Sequence, residues 1–202
     1  MDKLLSVSLA SLMTIGSAQA ALTMLDDPTS ATASTEHSAP FLVTNLFDGT
    51  PTLADVGSTT QNGSDYAGSG VGPHVVVYDM GSSIELAGIF YSQRVHILDA
   101  VTSIEFWVES SDPGSATLAL ASSLGASDHT INLAGTDNNL TEYDFGGVVG
   151  TGQYVVMRLN SPSTFNPGGG ELQLATTASV PEPSSTALLG LGTLGLLLRR
   201  RR

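Results

Sequence analysis

Apolar residues along the chain are grouped in two ways. Near each end they form one short continuous run, Leu4 to Ile15 and Thr186 to Leu198, whereas between those runs they alternate with polar residues in short segments. Within Ser103–Glu109, the residues Ile104, Phe106 and Val108 share one face and Glu105, Trp107 and Glu109 the other. Tyr154, Val156 and Arg158 alternate in the same manner with Val155, Met157 and Leu159. Period two belongs to extended strands, whose side chains project to opposite faces. The pattern predicts strands over Phe41–Leu46, Val75–Asp79, Ile84–Tyr91, Ser103–Glu109, Thr117–Ala121, Thr130–Leu133, Glu142–Phe145, Tyr154–Asn160 and Glu171–Leu174. Turn formers bound them, long helical periodicity is missing and no segment repeats. The expectation is an all-β domain over 41–175, an antiparallel β-sandwich of jelly-roll type. Residues 21–40 are polar and predict an irregular lead-in, and 176–179 a small-residue linker.

The terminal runs read as addresses rather than fold. Residues 1–20 combine a charged start at Lys3, a short apolar core and the small residues Ala18 and Ala20 in an A-x-A site. Those are the parts of a secretory signal peptide, so a signal helix and cleavage before Ala21 are expected. At the other end, Val180-Pro181-Glu182-Pro183 leads into a hydrophobic helix over 186–198 and then into Arg199, Arg200, Arg201 and Arg202. Four arginines act as a membrane stop and stay cytoplasmic, which leaves Pro181 on the outer side. The apolar run is shorter than the ~20 residues of a permanent span. Gly190-Leu191-Gly192-Thr193-Leu194-Gly195 matches G-x-G-x-x-G, but it lacks the strand before and the soluble helix after that a dinucleotide site requires.

This tail, with its three parts in order over 180–202, resembles the PEP-CTERM sorting signal of Gram-negative bacteria. The resemblance implies recognition by exosortase, a membrane-embedded transpeptidase, with processing near Pro181–Pro183. It further implies transient anchoring in the inner membrane through the helix, and a final place at the cell surface or in an extracellular matrix where exopolysaccharide is a candidate partner.

Composition narrows the functional classes. The chain has 202 residues, a hydrophobic fraction of 41% and a formal net charge of −12. Five of its seven basic residues sit in the end segments, so the stretch from Leu22 to Ser179 holds only Arg94 and Arg158 against 17 acids, a charge of −15. Such a body repels phosphate, which excludes nucleic acid as a partner. Zero cysteines exclude a disulfide scaffold and a cysteine-based zinc site.

The order of motifs in the body carries a second resemblance. Asn45-Leu46-Phe47-Asp48-Gly49-Thr50, Val76-Val77-Tyr78-Asp79-Met80-Gly81, Ile104-Glu105-Phe106-Trp107-Val108-Glu109-Ser110-Ser111-Asp112, Gln153-Tyr154-Val155-Val156-Met157-Arg158-Leu159 and Gly170-Glu171-Leu172 follow one another. That succession is similar to discoidin or factor 5/8 type C domains, the galactose-binding-like fold shared with family 32 carbohydrate-binding modules. Met80, Gln153 and the lack of a Trp after Asp48-Gly49 depart from it. The resemblance implies one structural calcium held by Asp48, Thr50 or Thr52, and Glu171, in keeping with the preference of calcium for hard oxygens. Asp48-Gly49 reads equally as a plain turn. It also implies carbohydrate binding on loops at one end of the sandwich, for which Tyr66, His74 and His96 are eligible. Trp107 sits mid-strand and is expected in the core, and Arg94 and Arg158 are expected to pair with strand-end acids such as Asp79 or Asp99.

H-E-x-x-H, G-x-S-x-G and P-loop motifs are absent, and the four histidines are dispersed. No catalytic residue is assigned and no enzyme is expected. The sequence thus predicts an exported surface or matrix protein that binds carbohydrate. A structural matrix protein without a specific ligand is the alternative, and a secreted hydrolase a further one.

Overall fold

The strand pattern of the body folds into two antiparallel sheets packed face to face. The computed structural model describes residues 21–38, 41–47, 66–94, 100–133, 139–162 and 166–178. Nine strands lie among them: β1 (Leu22–Met24), β2 (Ser30–Ala33), β3 (His74–Leu86), β4 (Gly88–Gln93), β5 (Ser103–Glu109), β6 (His129–Asn132), β7 (Thr141–Asp144), β8 (Gly150–Asn160) and β9 (Gly169–Thr177). A helix, α1 (Leu118–Ser123), and a 3-10 turn (Val43–Leu46) accompany them. One sheet has the order β2-β3-β8-β5-β6 and the other β1-β9-β4-β7. The expected antiparallel β-sandwich is the observed fold.

Alternation decides what each face meets. Val76, Tyr78, Ile104, Phe106, Val155, Met157 and Leu159 of the five-stranded sheet turn inward, onto Ile89, Tyr91, Leu172 and Leu174 of the four-stranded sheet. Their neighbours in sequence, Val75, Val77, Trp107 and Val156, form a second cluster on the outer face, closed by Ala116 and Ala121. Each such side chain withdrawn from water contributes about 1.5–3 kcal/mol. Trp107 is therefore core, as expected, and its Nε1 donates to the Gly125 carbonyl at 3.3 Å.

Several local expectations are corrected. Residues 43–46 of the predicted Phe41–Leu46 strand form the 3-10 turn, because Val43 and Leu46 are both buried and three residues apart, the repeat of that turn. Thr117–Ala121 is not a strand either. Thr117 caps α1 by accepting from the Leu120 N–H at 3.0 Å, and the Leu-Ala-Leu-Ala that follows is strongly helix-forming. The 21–40 lead-in contains two edge strands, β1 paired with β9 and β2 with β3. β9 runs on through Thr177 into the expected linker, where the Ala178 N–H donates to the Ala21 carbonyl. The single strand expected over Ile84–Tyr91 changes sheet at Ala87: β3 ends at Leu86 and β4 begins at Gly88. β3 also shifts register against β8 between Asp79 and Ile84. Gly81 supplies the left-handed backbone of that irregularity (φ +71°), and its N–H donates to Asp79 Oδ1 at 2.8 Å.

Candidate functional site

The structure separates the residues singled out from sequence. Tyr66 is completely buried, its hydroxyl donating to the Thr35 carbonyl at 3.0 Å, and both burial and the charge of Glu36 push its ionisation far up. That is a packing role, so Tyr66 is corrected from ligand contact to core. His74 is 2% exposed, yet it lines a surface pocket. Glu171 is buried on β9, opposite Ser92 of β4. Its carboxylate, after burial itself, contributes to holding the Tyr78 hydroxyl un-ionised. Among the described residues no three His, Asp or Glu side chains gather as a metal set. His96, Asp48, Thr50, Thr52, Ala18, Ala20, Val180–Pro183 and Arg199–Arg202 lie outside the described residues.

The two arginines of the body are both engaged. Arg158 of β8 stands opposite Glu105 of β5 and pairs with it, Nε to Oε2 at 2.5 Å, rather than with Asp79. Arg94 donates through Nη1 to the Asn166 carbonyl at 2.9 Å and lies over the Phe41 ring at 5.2 Å.

A cleft of about 290 Å³ opens on the outer face of the five-stranded sheet, lined by Ser30, Thr32, Asp79, Asp112, Ser115 and Tyr154, with Val77 on its floor. Each wall has a local origin. Ser30 and Thr32 face outward because Ala31 and Ala33 pack inward. Asp79 is fixed through Oδ1, which accepts from the Gly81 N–H and from Gln153 Nε2 at 2.9 Å. Asp112 starts a turn in which its Oδ1 accepts from the Gly114 N–H at 2.8 Å. In each carboxylate the second oxygen makes no hydrogen bond among the described residues. Desolvation first, then the charges of Asp79 and Asp112, raise the Tyr154 hydroxyl above its ordinary ionisation range. The cleft therefore offers carboxylate and hydroxyl oxygens around one aromatic ring.

The second pocket, about 300 Å³, lies over the start of β3 and is lined by Ser34, Thr35, Val71, His74, Thr117 and Leu118 among others. His74 Nδ1 sits 2.9 Å from Thr35 Oγ1, which also accepts from the Ser69 N–H at 3.1 Å. Burial lowers the imidazole below its usual value against an opposing pull from the Gly70 backbone, which keeps the ring neutral.

Comparison with known proteins bears on both halves of the chain. A family model described as the PEP-CTERM protein-sorting motif matches residues 179–202. The tail is a PEP-CTERM sorting motif. It marks an exported, surface-directed chain; among the described residues no helix is long and apolar enough to cross a membrane. No curated protein matches the chain. The body has the fold of family 32 carbohydrate-binding modules. A truncated AlyQ with CBM32 and alginate lyase domains superposes with TM-score 0.54 at 19% identity, over 80% of this chain and 35% of its own. The chain thus spans about a third of that protein. A CBM32 from Clostridium perfringens, solved in complex with GalNAc-β-1,3-galactose, gives TM-score 0.53 at 16% identity, over 72% and 93%. The CBM32-1 and CBM32-2 domains of Clostridium perfringens ZmpB give 0.56 at 10%, over 80% and 43%.

Sequence reasoning missed Asp79, Asp112 and Tyr154 as a group. They are 33 and 42 residues apart in order along the chain, and only strand pairing and the loop after β5 bring them to one cleft. The available signal was Tyr154 sharing a strand face with Arg158, opposite the face of Val155, Met157 and Leu159.

Proposed function

We propose that this PEP-CTERM protein is a non-catalytic carbohydrate-binding protein of the cell surface or extracellular matrix, sorted by exosortase. The sorting motif and the fold of carbohydrate-binding modules support the class. The observation that carries the binding reading is the cleft that Tyr154 lines together with Asp79 and Asp112. A sugar ring has an apolar face of C–H bonds and a rim of hydroxyls. Tyr154 supplies a flat surface for the first, and the outward carboxylate oxygens with Ser30, Thr32 and Ser115 supply partners for the second. A volume near 290 Å³ falls just below the roughly 300–1,000 Å³ typical of ligand sites and suits a single ring. Screening the full chain on a glycan array, with and without calcium, tests the reading. Binding that Tyr154→Ala and Asp112→Asn both weaken supports it; retention of no sugar under either condition refutes it. Mass spectrometry of the mature C-terminus tests exosortase processing, which Arg202 still attached in surface material would contradict.

Calcium at Asp48, Thr50 or Thr52, and Glu171 belongs to the same proposal. Glu171 has the hard-oxygen chemistry, and its buried position suits a structural ion better than an exchangeable one.

A further inference from the structure

The two cavities adjoin on one face of the sandwich. Ser30 and Thr32 line the first and Ser34 the second, all at alternate positions of one extended segment. On the facing wall, Ser115 lines the first and the next residue, Ala116, lines the second. Together they form a groove along the β2 edge, and Ser30 to Ser34 spans about 13 Å at the rise of an extended strand. That is room for more than one sugar ring.

The halves differ in chemistry. At the Tyr154 end, the carboxylates of Asp79 and Asp112 line the cleft and call for donors. At the other end the rim is apolar: Val71 is 62% and Leu118 47% exposed, with Pro73 and Ala116 beside them. Its hydroxyls are donors. Ser34 Oγ accepts from the Val75 N–H at 3.0 Å and Thr117 Oγ1 from the Leu120 N–H at 3.0 Å, so each keeps a proton to give outward. Hydroxyl donors set within an apolar rim are complementary to a carbonyl that carries a methyl group. We infer that the groove binds a glycan chain longer than one ring, with one ring on Tyr154 and an acetyl substituent seated among Val71, Leu118 and His74. This rests on the carbohydrate reading above. A body charge of −15, with Arg158 already paired to Glu105, repels uronate chains, and the apolar acetyl seat selects N-acetylated, uncharged chains among the rest.

Isothermal titration of the full chain with N-acetylglucosamine, its β-1,4-linked trimer and the β-1,4-linked glucose trimer, which is uncharged and lacks the acetamido groups, tests the inference. The trimer is expected to bind about tenfold or more tighter than the monosaccharide, the gain that burying one exposed apolar contact provides. The glucose trimer, without acetyl groups, is expected to show no such gain. Leu118→Asp and the milder Val71→Ser, both at exposed positions that leave the core intact, are expected to cancel it too while keeping monosaccharide affinity. Tyr154→Ala weakens all three ligands. Equal affinity for trimer and monosaccharide, or Leu118→Asp and Val71→Ser binding the trimer as the wild type does, overturns the groove and leaves the Tyr154 site standing. A wild type that binds other glycans but none of these probes overturns the acetyl assignment. A chain that binds no glycan at all removes the carbohydrate reading together with it.

Discussion

Tyr154 of β8 stands directly opposite Asp79 of β3 in the five-stranded sheet, and Glu109 of β5 faces it from the other side. Carboxylates on both flanks, and a third from Asp112 across the cleft, surround this aromatic ring with negative charge. Burial and the charges of Asp79 and Asp112 both hold its hydroxyl protonated. Asp112→Asn removes one of those charges without changing the side-chain shape. Tyr154 is then expected to ionise at a lower pH than in the wild type, read from the ring-carbon NMR signal against pH. An unchanged midpoint would show that the Asp112 charge does not reach the hydroxyl.

Trp107 packs on the outer face beneath Ala116 and Ala121, so its indole joins the five-stranded sheet to the segment that walls the groove. Trp107→Ala opens a large cavity there and is expected to destabilise the fold by about 3–5 kcal/mol. Urea unfolding followed by far-ultraviolet circular dichroism measures it. A loss below about 1 kcal/mol would place Trp107 outside the core.

The His74 ring lies against Gly68, whose missing side chain leaves the space the imidazole fills; a Cβ there would come within 2.5 Å of His74 Nε2. Gly68→Ala is therefore expected to cost about 1–3 kcal/mol through overpacking. Because the ring must move, the variant should also lose the trimer gain assigned to the second pocket. Thermal melts compared with trimer titrations separate the two effects.

Stability is expected to depend on pH through His74 in a definite direction. Burial lowers its folded-state value below the ordinary 6.5, so the unfolded chain takes up the proton first as pH falls. Its contribution is constant above about pH 6.5 and declines as pH drops from there toward the folded-state value, where the folded chain protonates as well. His74→Asn keeps a polar atom near Thr35 Oγ1 and removes the titration. Urea midpoints between pH 7 and pH 5 are then expected to fall less in the variant than in the wild type, with His129, also lowered by burial, supplying the remaining slope. Parallel curves would exclude His74 as a source.

How much of this was legible in the sequence depended on the strength of the local signal. Ser103–Glu109 and Tyr154–Asn160 carry a clear period-two alternation, and the residues sharing a face were grouped correctly because each strand buries Ile, Phe, Val, Met or Leu on its inner side. Ser30–Ala33 alternates only serine or threonine with alanine, a contrast too weak to read as a strand; β2 exists because β3 offers it an edge. Leu118–Ser123 fooled the same criterion, since Leu-Ala-Leu-Ala alternates in size as a strand does while Thr117 caps it as a helix.

The sequence by itself determined the charge distribution, the sorting tail and the sandwich class, because each is a property of contiguous residues: a run of arginines, Pro-Glu-Pro before an apolar segment, period-two alternation. Only the tertiary structure decided the candidate site. Asp79 and Tyr154 meet through the register of β3 against β8, Asp112 joins them through the turn it makes with Gly114, and Ser30, Thr32 and Ser34 line the opposite wall through pairing across more than 40 residues of chain. Register is set by which faces the whole core buries, so no local stretch of sequence carries it.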